Sequence, residues 1–211
     1  MACTVLAVPQ RAFAATALSV TVVSATGVPL EGAVVIAEPA AGAPEPRAGQ
    51  KAIMDQRNFR FVPDVLVIQT GTAVDFPNSD QVRHQVYSFS GGKTFQLALY
   101  AGRAHAPVVF DRAGLVTLGC NIHDSMLGYV YVTDSPWYGR TDASGALRLH
   151  DLSPGEYTVQ IWHALLDESG PQLRSQLKVS DGAVDSVSFR LARPLRAPLK
   201  NHGVGAKWGK Y

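Results

Sequence analysis

Apolar and polar residues alternate along Leu18-Ser19-Val20-Thr21-Val22, and the same period of two, or a short wholly apolar run, returns through most of the chain. A period of two puts every second side chain on one face of a strand, so the pattern predicts half-buried sheets rather than helices. After Thr26-Gly27 a second run, Ala33-Val34-Val35-Ile36-Ala37, is apolar throughout and predicts a more deeply buried strand. The two runs read as a β-hairpin with residues 28–32 as its loop. Residues 40–46, rich in alanine, proline and glycine, have nothing to pair with and read as a linker.

From Lys51 to Thr133 the chain is strand and turn. Strands are predicted at 65–68, 73–76, 85–89, 95–99, 108–110, 115–118 and 129–132, with tight turns at Gly91-Gly92 and Ala113-Gly114. Short strands at this regular spacing predict a β-sandwich. A new pattern follows: Thr141-Asp142-Ala143-Ser144-Gly145, then Leu152-Ser153-Pro154-Gly155-Glu156-Tyr157 leading into a strand, with closing strands at 176–179 and 184–189. Residues 194–211 carry glycine, proline and charge without periodicity.

Composition narrows the classes. At 211 residues and 46% hydrophobic content the chain supports one large or two small domains, and no apolar run approaches the length of a membrane-spanning helix. The formal charge of +2 includes Arg193, Arg196, Lys200, Lys207 and Lys210 near the C-terminus, which leaves about −3 for the rest. The basic charge is therefore a tail rather than a face, and nucleic acid is excluded as a partner. Residues 1–15 read as the remnant of a secretory signal ending at Ala12-Phe13-Ala14, which implies a periplasmic protein; the alternative is a frayed cytoplasmic N-terminus. Cys3 would leave with the signal, so Cys120 would stand alone.

The candidate chemistry lies in Cys120-Asn121-Ile122-His123-Asp124-Ser125-Met126, between Gly119 and Gly128. A thiolate, an imidazole and a thioether at equal steps of three are three of the four ligands of a mononuclear blue-copper site, which needs two histidines and a cysteine in a plane with a weak sulfur on the axis. His84, upstream after an alternating run, is the candidate for the second histidine. Each residue alone has an ordinary structural explanation in a core. Three together in one short loop do not follow a strand's period of two. Zinc is the competing metal, with Asp124 supplying oxygen in place of Met126. His105, His150, His163 and His202 are scattered, and no carboxylate pair, Ser-His-Asp order or phosphate-binding glycine loop points to an enzyme. Trp137 and Trp162 are a possible carbohydrate platform, though aromatic residues at strand ends more often belong to cores.

Phe61-Val62-Pro63, the turn at Gly71, Val74-Asp75-Phe76-Pro77-Asn78 leading to His84, and Cys120-x-x-His123-x-x-Met126 resemble the cupredoxins, the plastocyanin-like copper proteins, over about residues 51–134. The two-residue gap between His123 and Met126 is similar to amicyanin. The resemblance implies a Greek-key β-sandwich holding one type 1 copper through His84, Cys120, His123 and Met126. It implies an electron carrier serving a dehydrogenase or cytochrome c, in a methylamine-utilisation setting, with His123 at the surface in an apolar patch of Pro77, Met126 and Leu127. Where those proteins have Pro-His-Asn this chain has Arg83-His84-Gln85, so the side-chain role of that Asn is not carried over, while the Gln85 backbone amide can still donate to the Cys120 sulfur. Gly27-Val28-Pro29-Leu30-Glu31-Gly32-Ala33-Val34-Val35, with the Thr141 and Leu152 motifs, resembles a carboxypeptidase-regulatory-like domain, a small transthyretin- or Ig-like sandwich. The expectation is thus an all-β chain: signal remnant 1–15, a discontinuous sandwich of 16–40 plus 139–192, an inserted cupredoxin domain at 51–134, and a basic tail at 193–211. The alternative sets the N-terminal hairpin on the edge of the cupredoxin, with an independent C-terminal domain. The competing function is a non-redox envelope module that delivers copper or binds glycan or protein.

Overall fold

The computed structural model describes residues 16–102, 106–166 and 173–197. The expected signal remnant with Cys3, His105 and the tail beyond residue 197, with His202, lie outside the described residues. Seventeen strands follow in order: β1 (Ala17–Val23), β2 (Val34–Pro39), β3 (Lys51–Ile53), β4 (Asp55–Gln56), β5 (Phe61–Val62), β6 (Val65–Gln69), β7 (Thr72–Asp75), β8 (His84–Ser90), β9 (Lys93–Tyr100), β10 (Val108–Phe110), β11 (Gly114–Gly119), β12 (Leu127–Thr133), β13 (Tyr138–Arg140), β14 (Ala146–His150), β15 (Gly155–Trp162), β16 (Leu173–Val179) and β17 (Val184–Arg190). The described residues form no helix, and the fold is an all-β arrangement of sandwiches.

Strands from the two ends of the chain build one pair of sheets, ordered β14-β1-β17 and β13-β2-β15-β16. Val20 pairs with Leu147 and with Val187, while Val35 pairs with Ile161. Between these sheets lie Leu18, Val20, Val22, Val35, Ala37, Tyr157, Val159 and Phe189, all buried. The middle of the chain builds the other pair, a five-stranded sheet β6-β12-β11-β8-β9 and a three-stranded sheet β10-β7-β3. Its core holds Met54, Phe61, Phe76, Phe110, Val116, Leu118, Val130 and, at one end, Cys120 and Met126.

The expected N-terminal hairpin does not form. β1 and β2 lie in different sheets, and β1 bridges only the loop between them, Val23 with Pro29. The reason is visible in burial. On β2, Val35 and Ala37 face the terminal sandwich, while Val34 and Ile36 pack with Val65 of β6 and with Tyr129, Tyr131 and Trp162 in a separate cluster between the two sandwiches. Both faces of β2 are covered, so the period of two is hidden behind an apolar run and the strand belongs in a sheet interior. Arg140 ties the same junction, donating through Nη1 to the Val65 carbonyl at 3.1 Å and through Nε to the Gly32 carbonyl at 3.3 Å.

Three facts of topology place the candidate chemistry. β8 begins at His84, β11 ends one residue before Cys120, and β12 begins one residue after Met126. β11 lies between β8 and β12, so all three positions fall at one end of one sheet. The short β4 and β5 form a two-stranded sheet of their own, Gln56 opposite Phe61.

Candidate metal centre

The Cys120 loop closes on itself by two successive turns, His123 N donating to Cys120 O at 3.4 Å and Met126 N to His123 O at 2.9 Å. That turn geometry is why the three donors recur at steps of three. The glycines at either end are required by neighbours rather than by backbone freedom: a Cβ on Gly119 would lie 2.6 Å from the Tyr87 hydroxyl, and one on Gly128 would lie 2.8 Å from the Phe61 ring.

His84, Cys120 and His123 converge, with one donor atom from each lying within 4.8 Å of the other two. His84 Nδ1 is 3.1 Å from His123 Nδ1, and Cys120 Sγ is 3.9 Å from His123 Nδ1. Bonds of about 2.0–2.1 Å from imidazole and about 2.3 Å from thiolate span up to about 4.4 Å between two donors on one ion. The two closer pairs fit such an ion as they stand, and the third pair, within 4.8 Å, meets it with a closure of under about 1 Å. Met126 is 2% exposed and belongs to the same buried cluster as Cys120. Asp124 is exposed and outside the group, so among the described residues no carboxylate joins the three donors. The donor set of two imidazoles and a thiolate suits copper, for which soft sulfur and imidazole are preferred.

The surroundings prepare each donor. His84 is fully buried, and its Nε2 lies 2.8 Å from Asp80 Oδ2. A carboxylate there accepts the Nε2 proton, which leaves the Nδ1 lone pair facing the other donors, the arrangement that orients metal-binding histidines. Asp80 Oδ1 also accepts the Asn58 amide at 2.6 Å and Oδ2 the Phe59 amide at 3.0 Å. Burial pushes the Asp80 carboxyl up, but the hydrogen bonds from the Phe59 amide, His84 and the Asn58 amide outweigh it and hold the group below its usual value. Burial lowers His123, with His84 adding to the effect against the Asp80 charge, so its ring is neutral and able to bind a cation at neutral pH. The Gln85 amide donates to Cys120 Sγ at 3.5 Å, as the backbone reading anticipated. Asn78 pins the loop leading to His84, donating to the carbonyls of Val82 and Tyr100 at 2.9 Å each and accepting the Asp80 amide at 3.0 Å.

Other expectations change. Met126 is buried, so it drops out of the surface patch expected around the half-buried His123, while Pro77 and Leu127 are half-buried and Ile122 and Val82, 48% and 40% exposed, are the more open apolar side chains nearby. Trp137 and Trp162 do not form one platform: Trp137 packs on Tyr157 in the terminal sandwich, and Trp162 packs on Tyr129 and Tyr131 between the sandwiches. His150 is exposed and His163 accepts the Leu165 amide at 3.1 Å, both outside the donor group. Asp80 and Phe59 were not singled out by sequence reasoning. For Asp80 a signal existed, a carboxylate four residues before a candidate ligand.

No family model matches the chain, and no curated protein does. Among solved structures, a purple cupredoxin from Nitrosopumilus maritimus is 26% identical over 39% of this chain and 99% of its own, with a TM-score of 0.33. A copper-containing nitrite reductase from Thermus scotoductus SA-01 is 25% identical over 53% of this chain and 28% of its own, at 0.37. A reduced tryptophan-to-tyrosine mutant of amicyanin is 19% identical over 49% of this chain and 100% of its own, also at 0.37.

Proposed function

We propose that this chain is a blue-copper electron-transfer protein of the amicyanin-like type. His84, Cys120 and His123 would hold one type 1 copper ion, with the Met126 thioether as a weaker fourth donor. The observation that carries this reading is the convergence of two imidazoles and one thiolate within 4.8 Å, with a buried thioether in the same cluster and no carboxylate among them. Copper held there supplies a one-electron couple between its +1 and +2 states.

The protein's part is to keep the donors in place through that exchange. His84 is fixed by Asp80, Cys120 by the Gln85 amide, and the loop by its own two turns and the strands it joins. Donors already gathered need little reorganisation, which favours fast exchange with a protein partner, a dehydrogenase or a cytochrome c. His123, the half-buried ligand, is the closest of the three to solvent and the point of contact. The chain works in the periplasm as a carrier rather than an enzyme. Residues 51–134 form the copper domain, inserted into a carboxypeptidase-regulatory-like sandwich of residues 16–40 and 139–192, for which the pairing of Val20 with Leu147 and Val35 with Ile161 is the support.

Titration of the purified apoprotein with Cu(II) tests the reading. An intense visible thiolate-to-copper band that saturates at one equivalent and bleaches on reduction is expected. A colourless protein, or tight zinc binding with no preference for copper, overturns it.

A further inference from the structure

The tip of the β4–β5 hairpin departs from the residue preference of its own turn. Arg57 and Arg60 exchange both backbone hydrogen bonds, at 2.9 and 3.2 Å, so the loop is Asn58 and Phe59 alone. Both have positive φ, 53° and 58°. This is the backbone of a type I′ hairpin turn, which favours asparagine then glycine at its two central positions. Asparagine tolerates the left-handed region; a bulky aromatic residue there is an outlier. Such a conformation persists where the surroundings hold it, and it points to a use for the side chain.

What holds it is Asp80. The amides of Asn58 and Phe59, which a two-residue hairpin leaves without a partner in its own ladder, both donate to that carboxylate, and Oδ2 is shared with His84 Nε2. The Phe59 ring stands nearly perpendicular to both histidine rings, at 82° and 85°, its centroid 4.9 Å from that of His123 and 5.6 Å from that of His84. It also packs against the edge of the Cys120 and Met126 cluster.

We infer that Phe59 is the closing residue of the metal centre: its ring, clamped over both imidazoles by Asp80, keeps water and small anions from the donors and confines the copper to electron exchange without a new ligand. The inference rests on the copper reading above. It explains why the turn carries an aromatic residue where glycine is easiest. Phe59→Gly relaxes the turn and removes the cover together, whereas Phe59→Leu keeps apolar bulk over the rings.

Two measurements on the full chain decide it. In the metal-free protein, peptide mapping after diethyl pyrocarbonate treatment reads the access to each imidazole. Modification of His123 and His84 is expected to quicken several-fold in Phe59→Gly and to stay near the wild-type rate in Phe59→Leu. Phe59→Ala takes the place of the glycine variant if the latter does not fold. In the copper-loaded protein, azide is expected to leave the wild-type visible band unmoved and to shift it saturably in Phe59→Gly. Equal modification rates with and without the ring, or azide binding as readily to wild type, overturns the cover. A rate difference in proteins that never turn blue upholds the cover and sinks the copper reading instead.

Discussion

The two sandwiches bury polar groups in different ways. In the terminal sandwich and its junction the buried polar side chains are hydroxyls, Thr16, Ser135 and Thr141, and they serve the backbone. Thr141 donates to the Leu30 carbonyl at 2.6 Å and accepts the Ala33 amide at 2.9 Å, and Ser135 donates to the Ala37 carbonyl at 2.6 Å. The middle sandwich buries hydroxyls as well, Thr72, Ser88 and Thr133, and adds Asp55, Gln56, Gln69, Asn78 and His84 beside a cysteine and a methionine. Its Tyr100 hydroxyl, bonded to Gln56 and to the Phe76 carbonyl, is pushed up to about 12 by burial. Burying an ionisable or amide side chain costs several kcal/mol unless its bonds are replaced, at roughly 1–3 kcal/mol for each orphaned group. A core built only for stability avoids that cost with aliphatic residues and short hydroxyls. The middle sandwich accepts it: Asp55, Gln56, Asn78 and His84 lie on or against the chain leading to the donors, while Gln69 pairs with Thr133 at the far end of the sheet.

The contrast can be broken from either side. Cys120→Ser is the largest expected effect: complete loss of the copper band in a visible titration, with the fold retained, since the substitution is small and a hydroxyl cannot replace the thiolate. Leu18→Ala, fully buried in the terminal sandwich, is expected to destabilise the chain by about 2–5 kcal/mol in denaturant unfolding. The band of the folded fraction should not change, and a changed band would show that the two cores are not independent in function. Asp80→Asn turns the carboxylate beside His84 into a group that can donate, which favours the tautomer with its proton on Nδ1. Copper affinity, read by competition titration, is expected to fall about 10–100-fold. Met126→Gln is expected to keep copper and lower the reduction potential by voltammetry, because a harder oxygen donor favours the oxidised ion. An unmoved potential would remove Met126 from the donor set.

The smallest effect belongs to the terminal sandwich. Asp142 caps the turn before β14, accepting the Ser144 hydroxyl at 2.6 Å and the amides of Ser144 and Ala146 at 2.9 and 3.1 Å. The Ser144 hydroxyl first, then the Ala146 and Ser144 amides, hold its carboxyl below the usual range. A depressed folded-state value means that the unfolded chain binds the proton more readily. The stability Asp142 contributes is therefore present above its ordinary range and lost as pH falls through the folded value. Asp142→Asn, which keeps an acceptor, should flatten that slight acid-side loss in unfolding measured against pH.

How far the chain could be read in advance differs along its length. The strands carrying Val86, Val116 and Val130 alternate between buried and partly open positions, so their period of two survives. β2 misleads, since Val34 and Ile36 are covered by the second sandwich and the alternation vanishes. The ligand loop is legible because its donors are close in sequence, whereas Phe59 reaches His123 only through a hairpin tip clamped by a carboxylate that lies 21 residues further on.

The order of residues alone therefore determined the all-β character, the presence of a soft-donor loop and the nomination of His84, since period, turn residues and donor chemistry are local properties. Tertiary structure alone decided which strands share a sheet, that Met126 is buried rather than displayed, and that Asp80 and Phe59 attend the centre. Those outcomes depend on which surfaces exclude water together, and such surfaces are assembled from strands far apart in the chain.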